Sequence, residues 1–122
     1  MKIKEYNDFC LSFHAVSEDF PTDDEETHAF KVLGKPFSLT NPDTFERITL
    51  KCDPVKAATL RNLYEEVQPG KHMGKRHWNT INPNGKLDDE IIKEWIKDSY
   101  DLVVESLPRK KQRKIEAMQE EE

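Results

Sequence analysis

Residues 67–80, Val-Gln-Pro-Gly-Lys-His-Met-Gly-Lys-Arg-His-Trp-Asn-Thr, hold the side chains of this sequence with the most chemistry to offer. Lys71, Lys75 and Arg76 suit phosphate contacts, and His72, His77 and Asn79 suit further hydrogen bonds. Trp78 brings a face on which a base can stack. Cations interleaved with an aromatic are what backbone contact plus stacking requires, and Gly74 lets a loop approach a ligand backbone closely. Alternation in a strand divides the set. Arg76, Trp78 and Thr80 fall on one face and His77, Asn79 and Ile81 on the other, so part of the set is structural. Trp78 and Met73 equally suit the core of a hairpin, and His77 and Asn79 suit internally bonded polar groups that pin it.

The other candidates for chemistry are weaker. Glu18, Asp19, Asp23, Asp24, Glu25 and Glu26 form an acidic run, and clustered oxygens are what a hard cation takes. The run has no EF-hand spacing and is interrupted by Pro21-Thr22, which favours a solvated loop. His14, His28, His72 and His77 offer no HxxxH or Cys-His pairing, so no zinc-type site is expected. Cys10 and Cys52 lie far apart outside any CxxC, and both read as reduced, inert thiols. No glycine-rich phosphate loop and no glycine-flanked serine nucleophile are present. The expectation is a binding protein, not an enzyme, with no catalytic residues and no cofactor.

The elements that must position these residues follow from periodicity. Ile3, Tyr6, Phe9, Cys10, Phe13 and Val16 make one apolar stripe, which predicts a first helix over 2–19. The period then drops to two. Strands are expected at 29–33 and 36–40 about a turn at Gly34-Lys35, and at 46–52, where Ile48, Leu50 and Cys52 face inward. Asp53-Pro54 is a helix start, and that helix should reach about Glu65, burying Val55, Ala58 and Leu63. Two further strands, 67–73 and 76–81, precede a turn at Asn82-Pro83-Asn84-Gly85. Asp88 should cap a third helix carrying Ile91, Ile92, Trp95, Ile96, Leu102 and Val103, which Pro108 stops. The charged segment 109–122 is expected to be disordered or a frayed helix. The order α-β-β-β-α-β-β-α with hairpin-length connections predicts an α+β domain over 1–108, a two-layer α/β sandwich with an antiparallel sheet open on one face.

At 122 residues the chain suits a single domain, and no apolar run approaches the ~20 residues of a membrane span. The start of the chain has no apolar signal core, so a cytoplasmic location without membrane contact is expected. Net charge is −5, which taken whole argues against a polyanion partner. The distribution reverses that reading. Residues 27–87 hold ten basic and five acidic groups, whereas 1–26 hold two and eight and 88–107 hold two and seven. The strand-bearing middle is therefore basic between acidic helical flanks.

Residues 67–80, Phe30-Lys-Val-Leu-Gly-Lys-Pro-Phe, Glu46-Arg-Ile-Thr-Leu-Lys-Cys-Asp-Pro and the terminal helix with Ser99-Tyr100-Asp-Leu-Val and Leu107-Pro108 together resemble the MmcQ/YjbR family of small bacterial proteins. The resemblance covers nearly all of the chain to Pro108, and Lys-Arg-His-Trp-Asn-Thr is its specific core. It implies a fold similar to frataxin and to type III secretion chaperones, and a DNA-binding role through the sheet. Two positions depart from the family pattern: Gly74 stands where Asn is common, and Lys71 where an aromatic is common. Nucleic acid is thus the leading partner, met by Lys71, His72, Lys75, Arg76, His77, Trp78 and Asn79, with Arg47 and Lys51 extending the patch along the sheet. The alternatives are a protein-interaction module resembling the chaperones and, third, a frataxin-like metal binder using the acidic run. Either a monomer or a homodimer fits.

Overall fold

A computed structural model describes residues 1–20, 27–70 and 74–121. The elements run α1 (Ile3–Leu11), β1 (Val16–Asp19), β2 (His28–Val32), β3 (Lys35–Thr40), β4 (Ile48–Lys51), α2 (Pro54–Leu63), β5 (Gln68–Pro69), β6 (Trp78–Ile81), α3 (Asp89–Ser106) and α4 (Arg109–Glu120). The strands form one six-stranded sheet in the order β1-β2-β3-β4-β6-β5, antiparallel at every pairing. The fold is α+β as expected, and the expected succession of elements is present with one added strand, β1, and one added helix, α4.

Each addition has a local cause. The apolar stripe of the first helix does run on to Val16, but the helix stops at Leu11 and the backbone turns left-handed at Ala15, φ 63°. The chain then reverses, and Val16–Asp19 pairs with β2 from Val16↔Val32 to Asp19↔Ala29. Beyond Ser106, Pro108 ends one helix and opens the next, because its carbonyl accepts from Lys111 and Gln112. Ile115 of α4 is 2 % exposed within the main core, so the segment expected to be disordered or frayed is a docked helix.

Alternation along the sheet places Phe30, Ile48, Leu50 and Ile81 toward the helices, where they meet Tyr6, Ile92, Ile96, Tyr100 and Val103. A register shift between Phe30 and Lys31 bulges β3, so that Phe37 and Ser38 both face the helices. The β2–β3 turn has positive φ at Leu33 and Gly34, the twist that two-residue hairpins favour. Asp53 caps α2 by accepting from the Val55 and Lys56 amides, as its place before Pro54 predicts. Asp88 precedes α3 without a side-chain cap bond. The inward face of α2 differs from expectation: Ala57 is buried and Leu60 and Tyr64 half-buried, while Ala58 is exposed and Val55 and Leu63 are 75 % and 70 % exposed. The sheet beneath, at Asn79, takes the Ala57 side of the helix, and a weakly amphipathic segment yields to that contact.

The two thiols are free and differ in setting. Burial pushes Cys10 up to about 12, and half-burial raises Cys52 above the usual thiol range by the same cause. A disulfide reagent at neutral pH should therefore modify Cys52 alone in the folded chain, and Cys10 only in denaturant. Mass spectrometry of the two samples checks this, and equal native labelling of both thiols would contradict the burial of Cys10.

Candidate nucleic-acid interface

The residues singled out in the sequence separate into three groups. Lys71 and His72 lie outside the described residues. Lys75, Arg76 and His77 form an exposed turn that leads into β6. This turn is tied down by its backbone, because the His77 amide donates to the Gly74 carbonyl and the His77 carbonyl accepts from the Cys52 amide at 2.8 Å. From α2, the Arg61 guanidinium donates to the Lys75 carbonyl at 2.8 Å. The three side chains are thus carried on a fixed frame.

Trp78 and Asn79 are buried, at 5 % and 4 % exposed. Trp78 lies on the sheet face away from the main core, in a small cluster with Ala29 and Leu39. The Lys51 ammonium sits 5.2 Å from the centroid of its ring, a cation–π contact that also lays the lysine stem over the apolar surface. Asn79 points the other way and donates from Nδ2 to the Ala57 carbonyl at 3.2 Å, joining β6 to α2. The division by alternation is as the sequence predicts: Trp78 and Thr80 on one face, Asn79 and Ile81 on the other.

Arg47 is exposed just before β4, in the row that continues with Thr49 and Lys51. It shares an open groove of about 840 Å³ with Lys75, Gln68, Thr80 and Asn82, and the carboxylates Glu46 and Glu66 stand on its border. The Thr80 hydroxyl, in the groove lining, lies 2.9 Å from that of Thr49 on the neighbouring strand. Glu66 Oε1 accepts from the Lys86 backbone amide at 2.6 Å, while its Oε2 is buried with no hydrogen-bond partner among the described residues, so the carboxylate keeps its charge. Arg47, Lys75 and Arg76 have no ion-pair partner among the described residues. Lys31, by contrast, is paired with Asp19 at 2.9 Å, which holds that carboxyl below the usual range. Glu18, the other described member of the acidic run, sits 3.2 Å from His28, and Asp23 to Glu26 lie outside the described residues.

Gln68, Asn82 and Arg61 were not among the residues the sequence pointed to. Gln68 and Asn82 have no local signal, because only the β5–β6 register and the turn after β6 bring them beside Lys75 and Arg47. Among the described residues no helix is long and apolar enough to cross a membrane.

Comparison with known proteins agrees with this architecture. The YjbR family model matches residues 11–102. Protein YbdF of Escherichia coli O157:H7 is 33% identical over 91 residues, covering 74% of this chain and 75% of that protein. Protein YjbR of Escherichia coli K12 is 28% identical over 114 residues, covering 93% and 96%. The crystal structure of Deinococcus radiodurans protein DR2400 superposes with a TM-score of 0.84 at 30% identity, over 93% of this chain and 87% of that one. A crystal structure from Pseudomonas syringae superposes with a TM-score of 0.71 at 25% identity, over 84% and 98%. The matched span holds the whole sheet, the groove and most of α3, and the chain belongs to the YjbR family.

Proposed function

We propose that this chain is a cytoplasmic, non-catalytic binding module that holds nucleic acid by its phosphates. Arg47, Lys75 and Arg76 are the contacting cations, with Lys71 and His72 adjoining them in sequence. The observation that carries the reading is that the first three are exposed and without ion-pair partners among the described residues, two of them on one groove. His77, Gln68 and Asn82 add hydrogen-bonding capacity beside them. Stacking on Trp78 is not part of the proposal, because Ala29, Leu39 and Lys51 already occupy its surroundings. Contacts of this kind position a backbone and carry little base information.

Three phosphate contacts on a duplex give a slope of about −2.7 in log K against log salt, so affinity should fall roughly 40-fold between 50 and 200 mM salt. Arg76→Ala should weaken binding and reduce the slope by about 0.9. Fluorescence anisotropy with a labelled duplex of mixed sequence reads both. An absence of binding at 50 mM salt, or an affinity indifferent to salt, would defeat the proposal.

A further inference from the structure

A second concavity lies on the helix side of the sheet, walled by β4 and β6, by α2 and by α3, with a volume of about 320 Å³. Part of its wall is apolar, with Leu50 and Ile81 from the sheet, Leu60 from α2, and Trp95 and Leu102 from α3, and charged residues complete the lining. That volume stands at the lower end of the range for small-molecule sites, and such a lining with a few placed polar groups is their usual composition.

The placed group is Asn79, 4 % exposed at the cavity wall. Its orientation is set by the Ala57 carbonyl, which only the amide Nδ2 can satisfy. Oδ1 is thereby left buried, with no hydrogen-bond partner among the described residues. An unpaired buried acceptor is costly, and at a cavity wall it marks the place where a donor from a ligand belongs. Ser99, already hydrogen-bonded, is a second polar group in the lining. Its hydroxyl lies 2.6 Å from the Lys51 carbonyl and 2.9 Å from the Trp95 carbonyl, and its single proton leaves the oxygen free to accept.

Charge at the mouth decides the ligand class. Lys56 from α2 and Asp98 from α3 meet there at 2.6 Å, and Asp101 and Glu105 follow Asp98 along α3. Asp101 is paired with Lys97 outside the cavity lining, whereas Glu105 has no ion-pair partner among the described residues. The α3 side of the opening is therefore carboxylate-rich, which disfavours an anion.

We propose that this cavity binds a small, largely apolar molecule that donates a hydrogen bond to Asn79 Oδ1 and is neutral or cationic. The site lies on the helix side of the sheet and does not depend on phosphate contacts. Indole, tryptamine and indole-3-acetate test it as probes that share one ring and one N–H donor but differ in charge. In the full-length ¹⁵N-labelled chain, the Asn79 side-chain amide and the Trp95 indole N–H should shift together. Tryptamine should bind about tenfold more tightly than indole-3-acetate, the scale of exchanging one exposed charge attraction for a repulsion. Bound tryptamine should also slow alkylation of Cys52, which lines the same cavity.

Leu102→Trp fills the space from half-exposed α3 surface and should abolish the shifts while leaving the fold intact. Asn79→Leu should weaken tryptamine about tenfold, the loss typical of one buried hydrogen bond. That variant also gives up the bond to Ala57, so its folding is read separately by near-ultraviolet circular dichroism. Absence of shifts at Asn79 and Trp95 with every probe at millimolar concentration would overturn the proposal. So would shifts that survive Leu102→Trp, or tightest binding by the acid.

Discussion

Trp78→Ala is expected to lower the unfolding free energy by about 3–5 kcal/mol, the usual cost of truncating a buried tryptophan. For a domain whose total stability is about 5–15 kcal/mol, this approaches the limit of what folding tolerates. The ring is 5 % exposed and stands with Ala29 and Leu39 on the sheet face opposite the main core. Among the described residues no other aromatic belongs to that cluster, so the cavity left behind has only Ala29 and Leu39 to collapse into it. The Lys51 ammonium, 5.2 Å above the ring, loses its aromatic partner as well. Urea titration reads the effect as a lowered midpoint. An unchanged midpoint would mean that the ring carries no structural burden, and would return it to the proposed nucleic-acid contacts as a stacking platform. Trp78→Phe keeps most of the apolar volume and should lose much less, which separates filling from any property of the indole.

The structural reading of residues 67–80 holds for one part of the segment, and another part stays at the surface. Val67, Gly70, Trp78 and Asn79 are buried, while Lys75, Arg76 and His77 stand in an exposed turn. Alternation predicts which faces Trp78 and Asn79 take, because a strand has only two sides. It does not predict whether a face is covered. Coverage depends on Leu39, Ala29 and Lys51, which reach Trp78 only through the β2–β3–β4–β6 pairing. Asn79 likewise depends on Ala57, 22 residues away. Arg47 was legible as a free cation, since an exposed charge in a basic segment needs no tertiary partner to stay exposed. Lys31 was not, because its neutralisation by Asp19 is a cross-strand contact between β1 and β2, and β1 itself was hidden inside a helical stripe. Val16 fits the 3.6-residue period of α1 as well as it fits a strand. Only the left-handed turn at Ala15 and the pairing with Val32 decide between them.

Gly70→Ala is expected to destabilise the chain by about 1–3 kcal/mol, although it adds a single methyl group to a position next to an edge strand. Gly70 does not hold a positive φ, so backbone freedom is not what the position demands. Space is. A Cβ there would lie 2.4 Å from the Trp78 Cβ, 3.0 Å from its carbonyl oxygen and 3.1 Å from its carbonyl carbon. None of these is the movable end of a flexible side chain, so relief requires the Gly70 and Trp78 backbones to separate. Separation gives up the hydrogen bond from the Gly70 amide to the Trp78 carbonyl, 2.7 Å in the native pairing, and loosens β5, which is only two residues long. Thermal melting measures the global loss, and hydrogen exchange locates it: the amides of Gly70 and Thr80 should lose protection before those of β2 and β3. Gln68, Pro69 and Gly70 also border the groove that holds Arg47 and Lys75, so affinity for a duplex should fall while every cation stays in place. A variant with native melting and native exchange would show that the close approach of Gly70 to Trp78 does not hold the edge of the sheet. Reduced duplex binding at native stability would instead make the 2.7 Å strand contact a determinant of groove shape, separate from its part in folding.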